Sequence, residues 1–210
     1  LVTIAFLVAV ALGIKQISFS RSRPDAASTT AAVAAVENPA EIGKITAAKT
    51  ALDAKQYAQA VSLFEEIFSG NPSLKKELSE FYVNAALGQA ANLIKTDSGK
   101  AEIFLLKALQ IDPDNISGLS NLGYLYMGRK NYPKAIETYL KVTTLAPRLP
   151  DTFFNLGYVY AVTDDYQQAK LMYRRVVELN PPFADEALFN LAVINEKLGE
   201  YQQCIKNLER

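Results

Sequence analysis

The sequence NLGYLY at residues 121–126 is followed 34 residues later by NLGYVY at residues 155–160. Five of the six residues are identical, and the match continues downstream at the same offset. The further identical pairs are Tyr132 and Tyr166, Ala135 and Ala169, Tyr139 and Tyr173, Val142 and Val176, and Pro147 and Pro181. A fixed period of about 20–50 residues is the signature of a solenoid, in which similar units stack on one another. The period therefore predicts a stacked array instead of a single globular core.

Each unit of the array is predicted to contain two amphipathic helices. In residues 116–149, apolar and small residues recur in the first half at intervals of three and four, which places them on one stripe of a helix. They are Leu119, Leu122, Gly123 and Tyr126, and the second half contributes Ala135, Tyr139 and Val142. Small residues at Gly123 and Ala135 let the two backbones approach, and the tyrosines fill the remaining volume. Pro147 cannot continue the second helix and marks its end.

These positions resemble the tetratricopeptide repeat family, whose pattern places Leu-Gly, Tyr, a small Ala, an aromatic residue and a closing Pro at fixed spacing. The resemblance implies an all-α fold, an α-solenoid of antiparallel helix pairs that stack into a superhelix. It covers about 170 of the 210 residues. Five units are predicted, at residues 41–74, 75–115, 116–149, 150–184 and 185–210.

Three of these units depart from the family pattern. Unit 41–74 has Ala47 and Ala48 where Leu-Gly is expected. Unit 75–115 is longer by about two helical turns, mostly near residues 75–80. Unit 185–210 stops inside its second helix, and the chain starts with Leu1 instead of Met. We therefore expect the natural protein to continue beyond both ends.

The composition excludes much catalytic chemistry. The 22 basic and 22 acidic residues leave no net charge, so nucleic acid is not an expected partner. There is no histidine and only one cysteine, which removes histidine-dependent catalysis, disulfide frameworks and zinc clusters. The sequence also lacks a glycine-rich phosphate loop. We therefore expect a protein that is not an enzyme and that needs no cofactor or metal.

The N-terminal segment, residues 1–17, is predicted to be a membrane anchor. Residues 1–14, LVTIAFLVAVALGI, carry no charge, and Lys15 is the first charged residue. A spanning helix needs about 20 apolar residues, a length that a run continuing upstream would reach. The alternatives are a cleaved signal peptide, with residues 9–11 as an A-x-A cleavage site, and a buried helix. The side of the membrane stays open, because the upstream charges that compete with Lys15 are not in the sequence.

Residues 18–40 are predicted to be a flexible linker between this segment and the array. They consist largely of Ser, Thr, Ala and Pro, with almost no large apolar residue after Phe19. Such a composition buries too little apolar surface to offset the entropy that ordering costs.

The opposite stripe of the first helices is predicted to carry the binding site. In proteins that these repeats resemble, this stripe lines a concave groove that holds a peptide. Asn121, Asn155 and Asn190 recur on it at spacings of 34 and 35 residues, and a row of amides can hydrogen-bond a peptide backbone. The row resembles the asparagine ladder of the repeat domain in O-linked N-acetylglucosamine transferases. The alternative is that each amide bonds only neighbouring turns of the array.

Aromatic side chains accompany these asparagines. Tyr82, Tyr124 and Tyr158 fall on the same stripe, and further lining residues are Ser120, Phe154, Phe189, Met127 and Val193. A mostly uncharged aromatic lining favours apolar or aromatic anchors on the ligand, although isolated exposed aromatic residues are also common. The predicted site consists of Asn121, Tyr124, Phe154, Asn155, Tyr158, Phe189 and Asn190.

Other conspicuous residues have structural interpretations. Eight tyrosines occupy packing positions of the repeat and are predicted to be core: Tyr57, Tyr126, Tyr132, Tyr139, Tyr160, Tyr166, Tyr173 and Tyr201. Cys204 stands where other units have Ala, so it is predicted to be a small packing residue. Some family members clamp the C-terminal carboxylate of heat-shock chaperones with Lys and Asn. Ser120, Phe154 and Phe189 occupy positions where such a clamp would offer a base, which argues against that ligand.

The sequence therefore predicts a non-catalytic, membrane-tethered scaffold that binds a protein or peptide partner in a concave groove. One alternative is that the array is the non-catalytic arm of a larger enzyme, such as a glycosyltransferase or a kinase. Another is self-association through the convex face or the terminal repeat. The partner and the biological process are not specified by the residues.

Overall fold

The computed structural model describes residues 38–200 and Gln202. The predicted anchor, most of the predicted linker, Tyr201 and Cys204 lie outside the described residues. Within the described part the chain is helical and contains no strand, which confirms the predicted all-α fold. The helices are α1 (Pro39–Asp53), α2 (Tyr57–Gly70), α3 (Ser79–Leu93), α4 (Ser98–Ile111), α5 (Ile116–Gly128), α6 (Tyr132–Leu145), α7 (Pro150–Val162), α8 (Tyr166–Leu179) and α9 (Ala184–Lys197).

The described chain divides into two compact units, with the boundary in the sequence between Gly118 and Leu119. In the first unit, α1 packs on α2 and α3 packs on α4, while α2 also contacts α3. A 3₁₀ helix at Pro72–Lys75 lies between α2 and α3, in the region where the sequence has extra residues. Leu74 and Leu78 from this connection are buried, so the insertion is packed against the unit.

The second unit contains α6 to α9 and most of α5. Successive helices pack pairwise, with α6 on α7, α7 on α8 and α8 on α9. Its core combines residues of three helices, including Phe153 from α7, Tyr173 from α8 and Leu191 from α9. The second helix of one repeat thus contacts the first helix of the next, which is how a solenoid buries both faces of a helix.

Side chains that precede the second helices fix where those helices begin. Asn131 and Asp165 stand 34 residues apart, and each accepts a hydrogen bond from the backbone N–H three residues later. Asp97 does the same before α4, at 3.0 Å from the N–H of Lys100. Such N-caps satisfy one of the free N–H groups at a helix start. The helix boundaries therefore repeat because the capping residues repeat.

Four turns that follow the first helix of a pair contain a residue with a left-handed backbone conformation, whereas the turn between α3 and α4 contains none. These residues are Lys55, Lys130, Asp164 and Gly199, with φ of 60°, 58°, 60° and 74°. Glycine adopts this conformation without steric cost, whereas a residue with Cβ is strained by about 1 kcal/mol. Three of the four turns therefore carry a local strain that glycine would relieve.

Replacing Lys130 with glycine is expected to raise the free energy of unfolding by about 0.5–1 kcal/mol. Lys130 is exposed, so little packing is lost with its side chain. Urea denaturation followed by circular dichroism at 222 nm measures the change. The matched control is Glu137→Gly in the middle of α6, which is expected to lower stability by about 1 kcal/mol because its backbone is helical. A loss of stability in Lys130→Gly would contradict the argument.

Candidate peptide-binding face

The predicted site residues lie on α5, α7 and α9, which are the first helices of three successive repeats in the second unit. The structure divides them into buried and accessible side chains. Asn121, Asn155 and Asn190 are at most 5% exposed, and Phe154 is fully buried. Tyr124 and Tyr158 are half-buried, and Phe189 is 45% exposed. A ligand could therefore contact the tyrosines and Phe189 directly, but it would reach little of the asparagines.

The middle asparagine, Asn155, faces a tyrosine of the preceding repeat. The ring of Tyr139 is fully buried, and its hydroxyl has no hydrogen-bond partner at normal distance. Burial raises the pKa of Tyr139 above its ordinary value, and the Asn155 side chain opposes that shift. An amide beside a buried hydroxyl reduces the cost of removing that hydroxyl from water. The structure thus favours the alternative in which the asparagine acts inside the array.

Phe154 was expected in the binding groove, and the structure places it in the core instead. Its ring lies edge-on against the ring of Tyr173, with centroids 5.4 Å apart, and against that of Phe183 at 5.7 Å. Aromatic pairs in this geometry add to the stability that burial provides. Phe154 therefore joins α7 to α8 and to the turn before α9, and it offers no surface to a ligand.

Tyr82 was also expected on the groove stripe and is buried in the first unit. Its hydroxyl donates to Oε1 of Glu65 at 2.8 Å, and Lys107 donates to the same oxygen at 2.7 Å. Burial is the largest cause of a raised pKa at Tyr82, and the Glu65 carboxylate adds to it. These three side chains join α2, α3 and α4. Tyr82 is therefore a structural residue.

Two further residues of the expected lining, Ser120 and Met127, are buried, whereas Val193 is half-buried. Of the eight tyrosines predicted to be core, the structure buries Tyr126, Tyr139 and Tyr173. It leaves four of the others half-buried: Tyr57, Tyr132, Tyr160 and Tyr166. These four tyrosine side chains are thus only partly shielded from solvent.

We call the accessible residues of the predicted site, together with one residue of the expected lining, the aromatic face; it consists of Tyr124, Tyr158, Phe189 and Val193. Equivalent positions of the repeats carry Tyr124, Tyr158 and Val193, at spacings of 34 and 35 residues. Residues 119–128 of α5 contain no charged residue, and Asp151 is the only charged residue of α7. The pKa of Tyr158 is raised, mainly by burial and further by Tyr132, so its phenol is neutral at physiological pH. The face therefore offers aromatic surface and, at Tyr158, a neutral hydroxyl group.

The described residues show no other site with evident chemistry. Between residues 38 and 200, no three His, Cys, Asp or Glu side chains are grouped so that they could hold a metal ion. Within the same range, no helix has the length and apolar character needed to cross a membrane.

In two helix pairs a glycine of the first helix faces a tyrosine of the second, Gly123 facing Tyr139 and Gly157 facing Tyr173, as in a tetratricopeptide-type helical repeat. Two tetratricopeptide repeat models match the sequence, one at residues 104–137 and the other at residues 154–203. The chain thus contains tetratricopeptide repeats in these two stretches.

Solved structures of MamA share this fold. The structure of MamA AMB-1 is 20% identical to the chain, with a TM-score of 0.61, and the match covers 80% of this chain and 88% of MamA AMB-1. For MamA MSR-1 the identity is 19% and the TM-score 0.58, with coverage of 82% and 94%. No curated protein matches the chain in sequence. At this level of identity the similarity shows the common fold.

Proposed function

We propose that this protein is a non-catalytic scaffold that binds a polypeptide partner on the aromatic face. The observations that carry the proposal are the 45% exposure of Phe189 on α9 and the half-buried state of Tyr124 on α5 and Tyr158 on α7. Aromatic anchors in a region without charge are the side chains that contribute most to protein–protein affinity. We further propose that residues 1–17 tether the scaffold to a membrane, on the basis of their apolar sequence.

The chemistry of the face defines the class of ligand. Tyr158 can stack on an apolar or aromatic side chain while its hydroxyl bonds a backbone carbonyl. Charged ligand residues have no counter-charge in the centre of the face, so they would be desolvated without compensation. The ligand is therefore an uncharged segment with apolar or aromatic anchors. Among the asparagines, Asn190 lies next to the exposed Phe189 and remains a candidate for bonding the ligand backbone.

A peptide selected from a random library against the full chain tests this assignment. Tyr158→Ala and Phe189→Ala are each expected to weaken its binding about tenfold, which corresponds to about 1.4 kcal/mol and is typical for an interface aromatic anchor. The affinities are measured by fluorescence anisotropy with a labelled peptide. Asn190→Ala, measured in the same way, determines whether the amide contributes.

The controls are Leu140→Ala and Leu171→Ala on the second helices. These leucines are 44% and 51% exposed, similar to Phe189, but they lie outside the aromatic face. Their substitution is expected to leave peptide affinity within twofold of the wild-type value. Equal losses in controls and face variants would show that the peptide binds elsewhere, and the proposal would then be wrong.

A further inference from the structure

We propose that the junction of α5, α6 and α7 binds water in a buried polar site, which is formed by the hydroxyl groups of Ser120, Tyr139 and Thr152. The site lies within the second unit, where it joins the helix pair of one repeat, α5 and α6, to the first helix of the next, α7. Bound water is then part of the contact between two repeats, in addition to the packing of their side chains. The proposal does not depend on peptide binding by the aromatic face.

The first observation is that these three hydroxyl groups are enclosed without a bond. Ser120, Tyr139 and Thr152 are at most 1% exposed, and none of their hydroxyl oxygens has a hydrogen-bond partner among the residues that the structure describes. A buried hydroxyl that loses its bonds to water and gains no others lowers stability, so folded proteins rarely keep one unpaired. A buried water molecule supplies such bonds and typically makes about three of them.

The hydroxyl of Ser120 also makes no bond to its own helix. Thr46 on α1 and Thr138 on α6 each donate to the carbonyl oxygen four residues earlier, at 2.9 and 2.7 Å. Ser120 lies inside α5, where the carbonyl of Ile116 stands at the same spacing, yet it makes no such bond. Its hydroxyl is therefore left for a partner outside α5.

Contacts across the junction place the three side chains close together. The hydroxyl end of the Tyr139 ring lies over Gly123, where an added Cβ would be 2.7 Å from Cε1 and 2.9 Å from Cζ. Ser120 precedes Gly123 by three residues, so both lie on the stripe of α5 that faces this ring. On the other side, the Asn155 side chain acts on the Tyr139 hydroxyl, and Thr152 precedes Asn155 by three residues on α7. The Tyr139 hydroxyl therefore lies between the stripe of α5 that carries Ser120 and the stripe of α7 that carries Thr152.

The following repeat indicates how much space the water would fill. At the 34-residue offset, Ser120 corresponds to Phe154 and Tyr139 corresponds to Tyr173. In the later repeat the Phe154 ring packs edge-on against Tyr173, with centroids 5.4 Å apart. The difference in volume between phenylalanine and serine exceeds that of one water molecule, which takes up about 30 Å³ in the liquid. Serine therefore leaves room for water beside Tyr139, and its hydroxyl adds a polar contact that phenylalanine lacks.

Asn155 is the fourth polar group at the site. Its side chain influences the pKa of Tyr139, although the Tyr139 hydroxyl has no hydrogen-bond partner at normal distance. Polar groups that are close but not directly bonded are often bridged by water. A water molecule makes up to about four hydrogen bonds, which is enough for the three hydroxyl groups and the amide.

Oxygen-17 magnetic relaxation dispersion of the full chain tests the proposal, because it counts the water molecules that a protein holds much longer than its surface waters. The variant Ser120→Ala, Tyr139→Phe, Thr152→Val removes the three hydroxyl groups and changes the shapes of the side chains little. A small apolar cavity stays dry, so this triple variant is expected to hold about one long-lived water molecule fewer than the wild type. The control is Tyr173→Phe, where the Phe154 ring occupies the corresponding space. It is expected to keep the wild-type number.

Urea denaturation of single variants distinguishes a hydrated hydroxyl from a dry one by the sign of the change. Thr152→Val is expected to raise the equilibrium constant for unfolding about fivefold, because valine withdraws a hydrogen bond from the water. Removal of a dry, unpaired hydroxyl would lower that constant instead. The control is Thr138→Val, whose hydroxyl bonds its own helix, and it is expected to change the constant less than about twofold.

Two results would each overturn the proposal. One is a triple variant that circular dichroism shows to be folded and that keeps the wild-type number of long-lived water molecules. The other is a gain of stability in Thr152→Val. If the triple variant does not fold, Thr152→Val and Tyr139→Phe provide the test, and a gain of stability in either would show that the hydroxyl groups are dry.

Discussion

Replacing Gly123 with alanine is expected to lower the free energy of unfolding by about 2 kcal/mol. A Cβ at this position would lie 2.7 Å from Cε1 of Tyr139 and 2.9 Å from its Cδ1 and Cζ. The ring of Tyr139 is fully buried, so it is surrounded by protein and cannot swing out into solvent. Overpacking of this kind costs about 1–3 kcal/mol, while the better helix propensity of alanine returns about 1 kcal/mol. The steric cost lies at the upper end of this range, because these distances are shorter than those that real Cβ atoms keep from their neighbours.

Other glycines of the chain provide matched controls for this prediction. Gly43 lies within α1 and has no atom within 4 Å of its added Cβ, so Gly43→Ala is expected to raise stability by about 1 kcal/mol. At Gly157 the nearest atoms of Tyr173 are 3.1 Å away, and the loss should be smaller than at Gly123. Urea denaturation followed by circular dichroism measures all three variants. Equal stabilities of Gly123→Ala and Gly43→Ala would contradict the steric argument.

The contact between Gly123 and Tyr139 shows what the sequence could predict. The 34-residue offset located the helix pairs, and the small residue in the first helix predicted a close approach to the second. The structure confirms this contact, as well as the corresponding one between Gly157 and Tyr173. Such features are predictable because they depend on residues within one repeat, where spacing along the helix fixes which side chains meet.

Phe154 and Tyr82 show why the accessible side chains of the first helices were only partly predictable. Helical spacing places a residue on a stripe, but it does not determine which distant ring a long side chain will contact. Phe154 packs on Phe183, which precedes the next repeat, and Tyr82 bonds Glu65 across an insertion that interrupts the period. Contacts of this kind depend on how repeats stack, which the pattern of a single repeat does not encode.

Asn155 illustrates a second reason why the sequence did not determine the role of each predicted site residue. Its recurrence at 34 residues fits both a ligand-binding ladder and a bond inside the array, because a stacked repeat places both functions at the same position. Only the burial of Asn155 beside the Tyr139 hydroxyl distinguishes between them. For Tyr124 and Tyr158 the position on the helix was enough to predict partial exposure, which the structure shows.

Replacing Glu200 with alanine is expected to lower the free energy of unfolding by about 2 kcal/mol. Glu200 follows α9 and forms an ion pair with Lys170 of α8, whose side chain is only 9% exposed. Removal of the carboxylate leaves a buried ammonium group without its counter-charge, which costs about 3–5 kcal/mol when both groups are buried. The Glu200 side chain is 39% exposed, so water compensates part of that cost.

The opposite substitution, Lys170→Met, is expected to cost less than about 1 kcal/mol. Methionine retains most of the apolar stem, and the carboxylate of Glu200 that remains can be solvated because it already reaches water. Urea denaturation of both single variants and of the double variant Lys170→Met, Glu200→Ala gives the coupling between the two residues. The double variant is expected to be more stable than Glu200→Ala alone, because it no longer contains the unpaired ammonium. A larger loss of stability in Lys170→Met than in Glu200→Ala would contradict the prediction. It would show that packing of the lysine stem, and not the ion pair, stabilises this contact.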